Sequence, residues 1–125
     1  MLNRLKPYLL LTRLDKPIGI ILLLFPCWWG IVYAKKSQFS LSLLLLCLAG
    51  AVIMRAAGCI LNDLLDADFD KDVTRTKNRP LAAKTARRGP ALFLFFILCL
   101  AGLSVLLQLP PPCWGLGMVG LLLLF

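Results

Sequence analysis

The sequence predicts an all-α fold, a multi-pass transmembrane helical bundle. Hydrophobic residues make up 60% of the 125-residue chain and the mean hydropathy is +0.85, whereas a soluble domain is about 45–50% apolar. Most charged residues lie in two segments that flank uncharged runs. The net charge of +8 would suggest nucleic acid in a soluble chain, but no basic face is interleaved with aromatic residues. We therefore expect the lipid bilayer as a partner, and no nucleic acid.

The uncharged runs predict three membrane spans and the start of a fourth. A span needs about 17–25 apolar residues, and the expected membrane helices cover 18–34, about 41–62, about 91–109 and 113–125. The last run has 13 residues, too few to cross about 30 Å of hydrocarbon, so we expect the chain to stop within its fourth helix. Trp28, Trp29 and Tyr33 are typical of an aromatic belt at the far end of the first span.

The segments between the spans carry the basic residues. Residues 1–17 mix leucines with four Lys or Arg, which indicates an interfacial segment. Lys35 and Lys36 begin a short turn after the first span. Residues 71–90 contain seven Lys or Arg and are expected to form a basic loop, broken by Pro80 and by a Gly-Pro pair at its end.

This distribution of basic residues predicts the orientation in the membrane. Eleven Lys or Arg fall on the side of the N-terminus and only two on the opposite side. By the positive-inside rule, the N-terminus and residues 62–90 are expected on the cytoplasmic or matrix side. The expected location is the bacterial inner membrane, or the mitochondrial inner membrane.

The most informative motif is a group of acid and amide side chains in the run N-D-L-L-D-A-D-F-D, where the second predicted helix ends. The helical repeat places Asn62, Asp66 and Asp70 on one stripe and Asp63 almost directly above Asp70. Like charges at this spacing destabilise a helix, so a cation there would relieve the repulsion. A set of oxygen donors suits Mg²⁺ before Zn²⁺. Asp68 lies on the other side of the helix and is expected to be solvated.

Basic residues accompany this stripe. Arg55 continues it about 10 Å into the apolar segment, at a rise of about 1.5 Å per residue, and an ionisable group at membrane depth is by default functional or paired. More basic residues follow the acids: Lys71, Arg75, Lys77, Arg79 and Lys84. Because proteins hold a diphosphate with metal ions and guanidinium groups, the pattern predicts a magnesium diphosphate site.

Other sites fit the sequence less well. An EF-hand loop starting at Asp66 would need Gly and Glu where Lys71 and Lys77 stand. The membrane CDP-alcohol phosphotransferases carry a D-G pair, which is absent here. Without His or a C-x-x-C motif, a zinc site is not expected. The remaining alternative is a solvated polar connection between two spans.

The stretch from Arg55 to Ala82, R-A-A-G-C-I-L-N-D-L-L-D-A-D-F-D-K-D-V-T-R-T-K-N-R-P-L-A, resembles the first aspartate-rich motif of the UbiA superfamily of intramembrane prenyltransferases. The upstream run R-L-D-K-P-I-G, Arg13 to Gly19, resembles the start of the first helix of that family. Together the two segments are most similar to the 4-hydroxybenzoate polyprenyltransferases of ubiquinone synthesis.

The resemblance implies a nine-helix membrane fold, of which residues 1–125 would be the N-terminal part of one prenyltransferase domain. It implies Mg²⁺ as the cofactor, with a polyprenyl diphosphate and a phenolic acid as substrates. It implies the following roles: Asn62, Asp66 and Asp70 as metal ligands, Asp63, Asp66 and Asp70 as catalytic residues, and Arg55, Lys71, Arg75 and Arg79 as diphosphate-binding residues. Arg13 is a weaker candidate near the entrance.

The family carries a second aspartate-rich motif that this sequence lacks. We therefore expect the 125 residues alone to be inactive, although a complete family member transfers a prenyl group to an aromatic ring. The alternative is a non-catalytic small membrane protein, or a relic, that binds cations or assembles with a partner.

Overall fold

The computed structural model describes residues 1–35 and 40–124, which form five α-helices. The described residues contain no β-strand. The helices, in chain order, are α1 (Leu2–Thr12), α2 (Ile18–Lys35), α3 (Leu41–Asp70), α4 (Arg88–Leu107) and α5 (Pro111–Leu124). The predictions for Lys36, as part of a turn, and for Phe125, as the end of the fourth membrane helix, fall outside the described residues.

Several helices begin or end at residues other than those predicted. Most of the N-terminal segment is helical, as α1, and Lys35 is the last residue of α2 instead of part of a turn. The second predicted membrane helix, α3, continues to Asp70 and so includes the whole acidic motif. It has Ser40 as its N-cap, whose hydroxyl accepts a hydrogen bond from the Leu43 amide at 3.5 Å.

Prolines lie in the first turns of two helices, although the predicted helices begin only after these prolines. Pro90 lies in the first turn of α4 and Pro111 is the first residue of α5, although α4 was expected from about residue 91 and α5 from residue 113. The first turn of a helix has amides without intrahelical acceptors, so a residue without an N–H is tolerated there. The same rule explains why the Gly-Pro pair does not interrupt the chain at α4.

Helix α3 is the centre of the bundle. It packs on α4, α2 and α1, while α5 contacts α4. The buried apolar core lies at the acidic end of α3, and its members come from α1, α3, the 71–87 segment and α4: Leu11, Ile60, Ala67, Leu81, Ala86 and Ala91. This core ties the segments on both sides of α3 to the residues of the acidic motif.

The outer surfaces of the bundle are apolar. Leu41–Asp70 and Arg88–Leu107 are long and apolar enough to cross a membrane, and Ile18–Ala34 is a shorter apolar helix. Large apolar side chains such as Phe93 and Leu100 are exposed along α4, as expected where a helix faces lipid. The predicted fold class, an all-α membrane helical bundle, is confirmed. That α2 also crosses the membrane stays a prediction.

An apolar cavity of about 560 Å³ lies between α2, α3, α4 and α5. Leu46, Gly50 and Met54 of α3 line it, together with Leu100 and Leu103 of α4. Met54 precedes Asn62, the first residue of the acidic motif, by about two turns of helix, and it is roughly 18 Å from Asp66 at a rise of about 1.5 Å per residue. The cavity is therefore an apolar space deeper along the same helix that carries the acids.

Candidate functional site: an acidic stripe with bound arginines

Asp63 is the most buried acid of the motif. Its side chain is only 2% exposed, within the face of α3 that also buries Ile60 and Ala67. Its Oδ1 atom accepts hydrogen bonds from Nη2 of Arg13 at 2.6 Å and from Nη1 of Arg79 at 3.3 Å. Since a buried charge is tolerated only when it is paired, the two guanidinium groups account for the position of this carboxylate.

Arg79 also binds Asp70. Its Nη1 atom donates to Oδ2 of Asp70 at 2.9 Å, and Asp70 is buried at the last residue of α3. The hydroxyl of Thr76 donates to the Asp70 backbone carbonyl at 3.4 Å, which folds the following segment back onto the helix end. Asp63 and Asp70 thus share one arginine, as expected from the prediction that one lies above the other.

The other two members of the stripe are more open. Asn62 is exposed and Asp66 is half-buried. Because α3 is helical throughout this region, residues four apart differ by about 40° around its axis, and the three donors cover an arc of about 80°. The stripe therefore runs along the edge of the packed face, from open at Asn62 to buried at Asp70.

Arg55 lies further into the apolar part of α3. Its side chain is half-buried, and its Nε atom is buried without a hydrogen-bond partner among the described residues. The guanidinium rests against Gly19 of α2, where an added methyl group would overlap it. A buried guanidinium nitrogen without an acceptor is costly, so this position suits a residue that receives an anionic ligand.

The remaining basic candidates are placed away from the stripe. Lys71 donates to Oδ1 of Asp68 at 3.1 Å, and Arg88 donates to the same atom at 2.6 Å. All three are exposed, on the flank of α3 opposite the stripe. Arg75 is also exposed. The structure therefore brings Arg13 and Arg79 to the acids of the motif, and it pairs Lys71 with Asp68. Arg55 lies about two helical turns from Asn62, against Gly19.

The donor set fits a magnesium ion that retains water. Within residues 1–35 and 40–124, no three His, Cys, Asp or Glu side chains are close enough to hold a metal ion among themselves. Mg²⁺ is usually bound through one or two carboxylates, with water and substrate phosphates completing the octahedron. Asp66 and Asp70, with the amide oxygen of Asn62, supply that number of protein oxygens.

The sequence alone did not identify the partners of Asp63. Arg13 is 50 positions away from it along the chain, and a helical wheel of α3 contains no information about what packs on α3. One signal was available: Asp63 is in helical register with Ala56, Ile60 and Ala67, all of which are buried. A carboxylate in the middle of such a face requires a cation from another segment.

Comparison with known proteins places this arrangement in a family. Residues 23–125 match the UbiA prenyltransferase family. The chain is 45% identical over 125 residues to 4-hydroxybenzoate octaprenyltransferase of Hydrogenovibrio crunogenus (98% of this chain, 44% of the relative). It is 46% identical over 123 residues to the protein of that name in Nitrosococcus oceani (98% and 43%). It is 47% identical over 116 residues to the protein of that name in Shewanella oneidensis (93% of this chain, 41% of the relative).

The chain spans less than half the length of these curated relatives. No solved structure matches it significantly. The family match covers α3 with its acidic motif, the arginine-bearing segment after it, α4 and α5. On this match, and on an all-helical fold with the acidic motif at the end of a membrane-length helix, the chain belongs to the UbiA prenyltransferase family.

Proposed function

We propose that this chain supplies a magnesium- and diphosphate-binding half of an aromatic polyprenyltransferase. The reaction is transfer of a prenyl group from a polyprenyl diphosphate to an aromatic acceptor such as 4-hydroxybenzoate, in ubiquinone biosynthesis. One observation carries the proposal: the carboxylate of Asp70 lies at the end of a membrane-length helix, 2.9 Å from the guanidinium of Arg79. Acid oxygens for a metal and a guanidinium for phosphate are thereby adjacent.

The residues have distinct roles in this proposal. Asn62, Asp66 and Asp70 hold Mg²⁺, which when bound neutralises charge on the diphosphate leaving group. Arg79 and Arg55 donate hydrogen bonds to diphosphate oxygens, and they favour the state in which negative charge accumulates on the leaving group. The catalytic contribution of this half is therefore electrostatic, and needs no proton transfer by its side chains.

The apolar surroundings of the acidic motif suit a polyprenyl diphosphate, the substrate that donates the prenyl group. An isoprenoid chain can extend from the acidic end of α3 toward the cavity lined by Met54 and Leu100, where it is removed from water. The relatives' name specifies an octaprenyl donor and 4-hydroxybenzoate, and these are the substrates that we propose to test.

The location follows from the membrane fold and the distribution of basic residues. The chain is an integral membrane protein by its family and its apolar helices. We propose the inner membrane of a bacterium, or of a mitochondrion, with the N-terminus and residues 62–90 on the cytoplasmic or matrix side. The acidic stripe would then face the compartment where soluble Mg²⁺ and phenolic acids are available.

The experiment is a chimera. The segment of the Nitrosococcus oceani enzyme that aligns with this chain over 123 residues is replaced by this chain, and membranes are assayed for prenylated 4-hydroxybenzoate with and without Mg²⁺. We expect Mg²⁺-dependent product from the chimera and none from the isolated chain. A chimera that is inserted in the membrane but inactive would favour the non-catalytic alternative.

A further inference from the structure

We propose that Asp63 is a positioning residue and not a metal ligand: it holds Arg13 and Arg79 for an oxyanion, and through Arg79 it sets the orientation of Asp70. The inference rests on the proposed function, because the oxyanion is the diphosphate of the donor. It separates Asp63 from the stripe formed by Asn62, Asp66 and Asp70, and it gives Arg13 a defined place at the site.

The first argument is accessibility. Asp63 is among the largest side chains of the described chain that are fully buried, together with Leu11 and Ile60. Its Oδ1 atom is occupied by two guanidinium groups, and the packed face of α3 excludes water from the carboxylate. An ion that keeps part of its hydration shell is not accommodated there, whereas guanidinium groups are weakly hydrated and suit such a position.

The second argument is the backbone of Arg13. This residue ends α1 in the left-handed conformation, with φ 51° and ψ 32°, where glycine or asparagine is normally favoured. An arginine in that conformation needs an interaction that offsets the strain. The cap hydrogen bond from the Arg13 amide to the Leu10 carbonyl at 3.2 Å and the 2.6 Å contact with Asp63 both contribute to it, at the position that brings a guanidinium to the site.

The third argument is the geometry of Arg79. A single nitrogen, Nη1, contacts both Asp63 and Asp70. When Asp70 turns toward a metal ion, Arg79 loses its contact with Asp70 and is still held by Asp63. A guanidinium has five N–H donors, so those that do not reach Asp63 are available to phosphate oxygens beside the metal ligands. Without Asp63, Arg79 would remain bound to Asp70 and compete with the metal.

The chain contains a matched control in Asp68. It also accepts hydrogen bonds from two basic side chains, Lys71 and Arg88, through one oxygen. It is five residues from Asp63, about 140° away around the helix axis, and it is exposed on the opposite flank. Asp68→Asn therefore removes the same charge and the same number of ion pairs without affecting the arginines at the stripe.

The test uses the 125-residue chain in lipid nanodiscs, with inorganic pyrophosphate and Mg²⁺ as the probe. Phosphorus NMR line broadening gives the midpoint of binding, and empty nanodiscs give the background. We expect Asp63→Asn to raise the midpoint about tenfold, the effect of losing one charge-assisted hydrogen bond. Asp68→Asn should stay within about twofold, as for a surface ion pair.

The midpoint distinguishes positioning from folding. A variant that merely misfolds in part contains fewer competent molecules, which lowers the amplitude of binding and leaves the midpoint unchanged. In addition, Arg13→Gln should raise the midpoint in the wild-type background and have little effect in the Asp63→Asn background, because residues that act as a unit are not additive. If Asp63→Asn loses its helical circular dichroism signal, the binding midpoint of Arg13→Gln alone tests the role of Asp63, since that variant leaves Asp63 paired with Arg79.

The outcomes separate this inference from the proposed function. Absence of Mg²⁺-dependent broadening in the wild-type chain overturns both. Wild-type binding with equal midpoints for Asp63→Asn and Asp68→Asn, or with no effect of Arg13→Gln where Asp63→Asn is unfolded, overturns the role of Asp63 and leaves the magnesium diphosphate site intact.

Discussion

At the scale of single residues, the site is an arrangement of acids that differ in exposure although they are close in sequence. Asp63 and Asp70 are buried and bound to Arg79, Asp66 is half-buried, and Asp68 is exposed on the other flank. Spacing on a helix predicts which acids share a face. It does not predict which of them are covered, since that depends on segments that are distant in sequence.

The stripe makes a prediction for turnover. In the chimera, Asp66→Asn or Asp70→Asn should lower Mg²⁺-dependent prenylation by about 100-fold or more, because removal of a group that stabilises charge in the transition state costs about 10²–10³ in rate. Asp68→Asn should reduce it less than about threefold, because an exposed ion pair contributes little. Product formation is measured at several Mg²⁺ concentrations. Equal losses in all three variants would contradict the assignment by helical face.

The sequence predicted part of the side-chain arrangement around the acidic motif and could not predict the rest. Helical periodicity was sufficient to place Asp70 beneath Asp63, and both bind Arg79. The pairing of Lys71 with Asp68 is a local contact three residues apart, which the sequence also permits. The contact between Arg13 and Asp63 depends on how α1 packs against α3, and no pattern within either segment determines that packing.

At the scale of helices, proline positions explain two of the differences in boundaries, the starts of α4 and α5. The breaks were predicted from proline as a residue that ends helices, but Pro90 and Pro111 occupy first turns. Pro7 and Pro26 lie inside α1 and α2, and the predicted first span, 18–34, also contains Pro26. The apolar lengths were thus sufficient to locate α2 to α5, and the rules for first turns correct the starts of α4 and α5.

The apolar core at the acidic end of α3 should stabilise the site through α1. Leu11 is 0% exposed, whereas Leu9 on the same helix is 60% exposed. We expect Leu11→Ala to lower the free energy of unfolding by about 2–5 kcal/mol, the range for a buried leucine, and Leu9→Ala to change it by less than about 0.5 kcal/mol. Denaturant titration in detergent micelles, followed by circular dichroism, measures both. Equal effects would mean that α1 is not packed on this core.

The contact between α2 and α3 makes a second prediction at this scale. Gly19→Ala would displace the Arg55 guanidinium without removing its charge, since an added methyl group overlaps the end of that flexible side chain. In the chimera the KM for the prenyl diphosphate should rise about tenfold, as for loss of one charge-assisted hydrogen bond.

Gly30→Ala is the control for this change, because it lies on the same helix and an added methyl group there meets no atom within 4 Å. Its KM should equal that of the unmodified chimera. A similar rise in both variants, or in neither, would argue that Arg55 does not contact the donor.

At the scale of the whole molecule, the fold class followed from composition and apolar length, and the family match agrees with the resemblance of the motif. Length alone does not determine the number of membrane crossings, because Ile18–Ala34 is shorter than the two long helices. If α2 and α3 each cross once, the two basic segments lie on the same side of the membrane, which agrees with the positive-inside rule.

This topology can be measured with alkaline phosphatase fusions in a bacterial host. A fusion after residue 36 should be active, since that position is predicted to be outside the cytoplasm, and fusions after residues 16 and 84 should be inactive. Full-length expression of each fusion is verified by immunoblot. Activity of the fusion after residue 84 would reverse the orientation and place the acidic stripe on the wrong side of the membrane.

The central claim is that oxygen donors on one edge of α3 hold magnesium diphosphate, and the most direct measurement is Mg²⁺-dependent binding of inorganic pyrophosphate to the chain in nanodiscs. Two double variants give the comparison, Asp66→Asn with Asp70→Asn, and Asp68→Asn with Asp72→Asn. Each removes two carboxylates from the same end of the molecule. We expect the first double variant to abolish Mg²⁺-dependent binding and the second to retain it. Equal loss in both, or binding that survives in the first, would mean that the stripe does not hold the metal ion.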